Sequence, residues 1–211
     1  MGPRECLILF TRYPQPGTTK TRLIPRLGPR GAADLQRQMT AKVMDEALPL
    51  KTSRGLELEV RYDGGSARLM AEWLGRAVRY GRQGDGDIGR RMASAFRQAF
   101  GRGRDKVVLV GSDIPGLSAA LLEQAFDHLD DRTVVFGPAA DGGYYLVGLV
   151  RRVFQRAEAA LFEHMAWGTA TVLAESCRRL ARLNLDIDRL AQLADVDRPE
   201  DLPIWERSQQ R

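Results

Sequence analysis

The stretch TVVFGPAADGGYYLVGLV (residues 133–150) holds two apolar runs, Thr133–Phe136 and Tyr144–Val150, only seven residues apart. Both read as buried strands. A parallel crossover takes a dozen or more residues, so these two are not parallel neighbours joined directly. Elsewhere the chain alternates strand patterns with helix patterns, the rhythm of a parallel sheet covered by helices. The expectation is therefore an α/β three-layer sandwich with a mostly parallel sheet and one antiparallel strand.

Working outward, Cys6–Phe10 and Val107–Val110 are short continuous apolar runs, as expected of strands buried on both faces. Leu56–Tyr62 alternates, and Ala77–Tyr80 reads as a third strand. Leu35, Met39, Val43 and Ala47 recur every four residues and predict a helix from about Ala32 to Leu50, after a loop from Arg12 to Pro29. Ala67–Leu74 reads as helical. Ile88, Met92, Phe96 and Phe100 mark another helix, ended by Gly101-Arg102-Gly103. Ser118 and Thr169 are placed to cap two more, the second running to about Ala181. A short strand near Leu183 and a small helix near Pro199 close the chain.

At 211 residues the chain suits a single domain over 1–211, long enough to bury a core without staples. Two cysteines without a CxxC exclude a disulfide framework and a zinc ribbon, and two histidines cannot build HExxH. No run approaches the roughly 20 apolar residues of a membrane span. The five-residue apolar run Cys6–Phe10 is too short for a signal peptide, so the expected location is cytoplasmic. With 32 Lys and Arg against 27 Asp and Glu, the net charge of +5 suits an acidic small molecule. The arginine pairs 90–91, 151–152 and 178–179 are scattered and aromatics are 7%, so they read as solvated helix faces and no nucleic-acid platform is expected.

Ligands of such folds gather at the carboxyl ends of the strands, and four loops there carry chemistry. Arg12–Arg22 offers Gly17, three threonines and the cations Arg12, Lys20 and Arg22. Freed N–H groups and cations of this kind grip a di- or triphosphate, although a solvated basic loop would look the same. It is not a Walker A loop, since only two residues separate Gly17 from Lys20. Gly111-Ser112-Asp113-Ile114-Pro115 ends a buried strand with a carboxylate, suited to Mg²⁺ or Mn²⁺ or to an ordinary turn. Asp141-Gly142-Gly143 is a tight turn whose glycines would let a ligand near the backbone. In Asp195–Leu202, Asp197 is either the cap of the helix at Pro199 or a second metal ligand. Gly84–Gly89 matches GxGxxG before a helix, but Asp85 and Asp87 would repel a pyrophosphate and no strand is expected to lead straight into it.

Six runs in order, LILFTRYPQPGTTKTRLIPRLG (7–28), QGDGDIGRRM (83–92), VVLVGSDIPGL (107–117), FGPAADGGYYLVGL (136–149), LFEHMAWGTATVL (161–173) and LADVDRPEDL (193–202), resemble the bacterial DUF2064 family of glycosyltransferase-like proteins. The resemblance implies the family-A glycosyltransferase, or nucleotide-diphospho-sugar transferase, fold. It also implies a nucleotide or nucleotide-sugar donor and a small-molecule acceptor. It places the nucleotide near Arg12, Gly17, Lys20, Arg22 and Ser112, with Gln83 and Asp87 toward the nucleoside. Asp113 and Asp197 would hold Mg²⁺ or Mn²⁺, while Asp141, Gly142, Gly143, Trp167 and Thr169 would border the acceptor. Family-A glycosyltransferases usually carry DxD at the metal, whereas here Gly111 stands two positions before Asp113. Three readings follow. The first is sugar transfer, with Mg²⁺ or Mn²⁺ on Asp113 and Asp197 neutralising the departing diphosphate beside Lys20 and Arg22, and Asp141 as the base if the reaction inverts. The second is nucleotidyl transfer with pyrophosphate release, and the third is a binding module without turnover.

Overall fold

The computed structural model describes residues 4–209. Among the described residues seven strands form one sheet: β1 (Glu5–Arg12), β2 (Glu57–Asp63), β3 (Arg79–Arg82), β4 (Lys106–Gly111), β5 (Thr133–Pro138), β6 (Tyr144–Val150) and β7 (Asp186–Arg189), in the order β3-β2-β1-β4-β6-β5-β7. All pairings are parallel except those of β6, which runs antiparallel to both β4 and β5. The 133–150 hairpin thus supplies the one reversed strand, as its spacing demands. Cys6–Leu9, Val107, Val108 and Val110 are almost wholly excluded from solvent, which is why these strands read as unbroken apolar runs.

The helices are α1 (Ile24–Ser53), α2 (Ala67–Leu74), α3 (Ile88–Gly101), α4 (Ala119–Asp127), α5 (Arg151–Phe162), α6 (Val172–Arg182) and α7 (Leu202–Ser208). They fall into two groups by mutual packing: α1 meets α4, whereas α3 and α6 both meet α5. The stripe Leu35, Met39, Val43, Ala47 is buried, and the Ser66 and Ser118 hydroxyls accept from Leu69 N and Leu121 N at their helix starts. No helix among the described residues is long and apolar enough to cross a membrane.

The structure corrects several expectations. The first long helix starts at Ile24 rather than Ala32, behind a 3₁₀ turn at Thr21–Leu23; Gly28 at φ +69° breaks it, so Pro25 and Pro29 lie near helix starts where no N–H is needed, whereas Pro49 lies inside its C-terminal end. Helix α5 was not foreseen, although Val153, Phe154, Ala157 and Leu161 bury one of its faces. The third strand is Arg79–Arg82 rather than Ala77–Tyr80, and the last is Asp186–Arg189 rather than near Leu183. Thr169 does not cap α6: its hydroxyl donates to Ala166 O, and the helix begins after Thr171. Strand β3 does lead directly into Gly84–Gly89, contrary to the sequence reading. The Asp87 carboxylate, accepting from Arg90 N at 2.8 Å, occupies the helix N-terminus where a pyrophosphate would otherwise sit.

Candidate active site

Parallel register decides which residues share an edge. Arg12 pairs with Asp63, Tyr62 with Arg82, and Phe10 with Gly111, so the carboxyl ends of β1, β2, β3 and β4 line up. Because β6 is reversed, its amino end, Tyr144 and Tyr145, reaches the same edge and carries the Asp141–Gly143 turn with it. A cavity of about 510 Å³ opens there, within the size range of small-molecule sites. Arg12, Asp63, Gln83 and Arg91 form one wall, and Ser112, Asp113, Asp141, Gly143 and Asp195 the other, over an apolar floor that includes Phe10, Met92 and Val147.

Behind the acidic wall, Lys20 donates from Nζ to Asp113 Oδ2 at 2.7 Å, to Val196 O at 2.7 Å and to Asp197 Oδ1 at 3.4 Å. An ammonium has three donors, and all three are spent. Burial opposes the charge on Lys20, but the Asp113 and Asp197 carboxylates outweigh it and hold the ammonium above its ordinary range. Arg22 holds the other oxygen of Asp197. Burial would raise the Asp197 carboxyl; Lys20 and Arg22 instead pull it below the usual carboxylate range. Asp197 does not cap the following turn: Asp201 accepts from the backbone N–H groups of Asp197 and Arg198. Lys20 itself sits at φ +50°, a left-handed conformation that costs a non-glycine residue about 1–2 kcal/mol, held here by its three acceptors.

Across the cavity, Asp63 takes Arg12 at 2.8 Å and Arg91 at 3.4 Å on one carboxylate oxygen. Burial works against that charge and the two arginines overcome it, so Asp63 also lies below its ordinary range. Gln83 donates to Thr11 O and Arg61 O at 3.0 and 3.2 Å and accepts from Arg91, which fixes it in the wall. The cavity is thus polarised, with two guanidiniums sharing the Asp63 carboxylate on one side and three carboxylates on the other.

Lys20, Asp113 and Asp197, set far apart in the chain, are brought together, and Arg12, Gln83, Ser112, Asp141 and Gly143 line the cavity. Other residues singled out from the sequence fall elsewhere. Lys20 and Arg22 are directed at carboxylates rather than into the open space. Gly17 (φ +83°) is exposed in the loop, and Asp87 turns to its helix cap. Gly142 serves packing: a Cβ there would meet Ala170 O at 2.2 Å. Trp167 lies edge-on to Tyr144 and close beneath Gly89, and Thr169 bonds within its own loop. Ile88, which with Met92, Phe96 and Phe100 marked a helix by its spacing, is 40% exposed and lines the cavity, unlike its three buried partners.

Sequence reasoning missed Asp63, Arg91 and Asp195. Asp63 ends β2 as Asp113 follows β4, so the same strand-end rule would have found it. Arg91 was hidden in an arginine pair. Asp195 lies two residues before Asp197, and nothing local says which of the two faces the cavity.

The donor set suits a divalent cation, and Asp195 supplies the observation. Burial raises its carboxyl, and the neighbouring charges of Asp141, Asp201 and Asp197 raise it further. A wall of carboxylates short of positive charge is the chemistry that oxygen-preferring cations satisfy. Asp195 meets this description; Asp113, with Lys20 as its one cation, does so in part; Asp197, already paired with two cations, does not. At the opposite edge, Cys6, Glu57 and Glu59 also come close together. Arg61, Arg102 and Arg104 already neutralise those carboxylates, and burial, with help from the two glutamates, pushes the Cys6 thiol up to about 12, leaving a poor ligand.

A family model described as an uncharacterized protein conserved in bacteria (DUF2064) matches residues 47–169, more than half of the chain. No curated protein matches by sequence. Among solved structures, a protein from Desulfovibrio desulfuricans G20, provisionally described as a nucleotide-diphospho-sugar transferase, is 32% identical with a TM-score of 0.90, over 100% of this chain and 89% of that one. A nucleotidyl transferase from Methanothermobacter is 18% identical with a TM-score of 0.65 over 99% of both chains. The glucosyl-3-phosphoglycerate synthase of Mycobacterium tuberculosis, in complex with Mn²⁺, UDP and glucosyl-3-phosphoglycerate, is 14% identical with a TM-score of 0.59, over 99% of this chain and 77% of that one. The last two are likenesses of fold.

Proposed function

The chain belongs to the DUF2064 family, and on that premise we propose that it is a transferase using a nucleotide-activated donor, one that moves a glycosyl group from a nucleotide-diphospho-sugar to a small acceptor. The supporting observation is the polarised cavity at the carboxyl edge of the sheet, with guanidiniums facing carboxylates. Arg12 and Arg91 would bind the diphosphate and stabilise the charge it gains as the glycosyl bond breaks. Asp63 keeps both guanidiniums oriented. Asp141 would take the proton of the acceptor hydroxyl: it is exposed, and only its Oδ1 is engaged, by Gly143 N at 2.9 Å. Asp113 and Asp195 would hold Mg²⁺ or Mn²⁺, which supplies Lewis-acid neutralisation of the departing diphosphate. Lys20 and Arg22 balance the carboxylates behind them.

The test is by product. The protein is incubated with Mg²⁺ or Mn²⁺ and either radiolabelled nucleoside triphosphates or nucleotide-diphospho-sugars, across a panel of small acceptors. Release of nucleoside diphosphate supports sugar transfer. Pyrophosphate release would replace that reading with nucleotidyl transfer. Binding without either product would leave a nucleotide-binding module.

A further inference from the structure

The inner face of α1 carries an anomaly. Between Ala33, Leu35 and Met39, all buried and apolar, stands Gln36, 2% exposed. A buried amide is costly unless its donors are met. Its Nε2 lies 2.9 Å from Ser112 Oγ, 3.1 Å from Thr40 Oγ1 and 3.2 Å from Thr11 Oγ1, and the two threonine hydroxyls lie 2.8 Å apart. Ser112 Oγ is in turn 3.1 Å from Asp113 Oδ1. We propose that Gln36 is a positioning residue for Asp113, acting through the Ser112 hydroxyl.

Donor and acceptor chemistry fixes the direction of this chain. An ionised carboxylate only accepts, so Ser112 must give its single proton to Asp113. Ser112 is then left to accept, and the Gln36 amide nitrogen is the donor beside it. Asp113 is thereby gripped at both oxygens, Oδ1 by Ser112 and Oδ2 by Lys20, with one carboxylate orientation presented to the cavity. Without the amide, the Ser112 hydroxyl loses the donor that fixes its direction, and Lys20 is left as the fixed partner of the carboxylate. The effect on turnover rests on the transferase reading above; the effect on the Asp113 side chain does not.

Four proteins decide the matter: wild type, Gln36→Met, Ser112→Ala and the double variant, each confirmed folded by its thermal transition. The first readout needs no activity: NMR three-bond couplings from the Asp113 backbone to Cγ report its χ1 population. Wild type is expected to show a single rotamer. Both single variants should show averaging, and the double variant should match Ser112→Ala because the two residues act in series. The second readout is steady-state turnover of whichever donor the product assay identifies. There kcat should fall about tenfold or more with donor KM little changed, the signature of a misaimed group rather than a lost binding contact. A single Asp113 rotamer persisting in Gln36→Met, or additive effects in the double variant, would overturn the proposal. If no donor is turned over by wild type, the transferase reading fails while the couplings still decide the role of Gln36.

Discussion

The ammonium of Lys20 bridges Asp113 and Asp197, with Nζ at 2.7 Å from the first and 3.4 Å from the second. The lysine side chain is 4% exposed, but the carboxylates are 40% and 36% exposed, so this is a buried cation facing partly solvated anions. Removing it leaves two carboxylates facing each other. Lys20→Met should destabilise the protein by about 1–3 kcal/mol, below the range for fully buried pairs because water still reaches both acids. A urea midpoint equal to wild type at unchanged slope would contradict this.

Acid should weaken the same cluster. The Asp197 and Asp63 carboxyls both lie below their ordinary range in the folded chain, after burial is outweighed by their cationic neighbours. Their contribution is present above the unfolded carboxylate value of about 3.9 and is lost as pH falls through the lower folded values. The stability difference between wild type and Asp197→Asn should therefore be constant from neutral pH to about pH 5 and shrink below about pH 4. Melting curves across that range give the comparison; a difference that is unaltered at pH 2.5 would show that the charge of Asp197 is not what stabilises.

Asp195 should behave in the opposite sense. Burial first, then Asp141, Asp201 and Asp197, lift its carboxyl above the ordinary value. Its favourable state is protonated, and that advantage disappears as pH rises through the folded value. Asp195→Asn should raise the melting temperature at pH 7 and lose the gain below about pH 4, while impairing any Mg²⁺- or Mn²⁺-dependent turnover. A variant less stable than wild type at pH 7 would mean that Asp195 is structurally satisfied.

Arg91 contacts Asp63, Gly86 O and Gln83 from one guanidinium and lines the cavity. Arg91→Ala should weaken binding of the nucleotide donor by about 1.5–3 kcal/mol, the range for a charged hydrogen bond. Calorimetry showing unchanged affinity would remove the guanidinium wall from the donor site.

Gly142 combines φ +88° with a Cβ position 2.2 Å from Ala170 O, and Leu173 N donates to its carbonyl at 3.1 Å. Gly142→Ala should cost about 1–3 kcal/mol and loosen the 139–143 turn from α6. Thermal melting with wild-type stability would show that the loop can shift to accept a methyl group.

What the sequence determined by itself is most of the elements, α5 excepted, and the reversed direction of the hairpin's second strand. Apolar spacing is a local property, so Cys6–Phe10, Val107–Val110 and the Leu35–Ala47 stripe announced themselves, and seven intervening residues sufficed to reverse β6. Boundaries escaped where proline and glycine bent a helix without ending it, as at Gly28. The site was legible as a set of loops but not as a set of directions. Lys20 meets Asp113 across 93 residues and Asp197 across 177, and no local pattern says that its three donors are consumed by them. Nor does spacing reveal which of Asp195 and Asp197 faces the cavity. Tertiary contacts settled these matters: setting β1 between β2 and β4 put the Arg12–Asp63 pair on one side of the opening and Asp113 on the other, and the Val196 N–H bond to Asp113 O tied the 195–197 segment beside it. Electrostatic pairing depends on distance in space, and only the folded sheet fixes that.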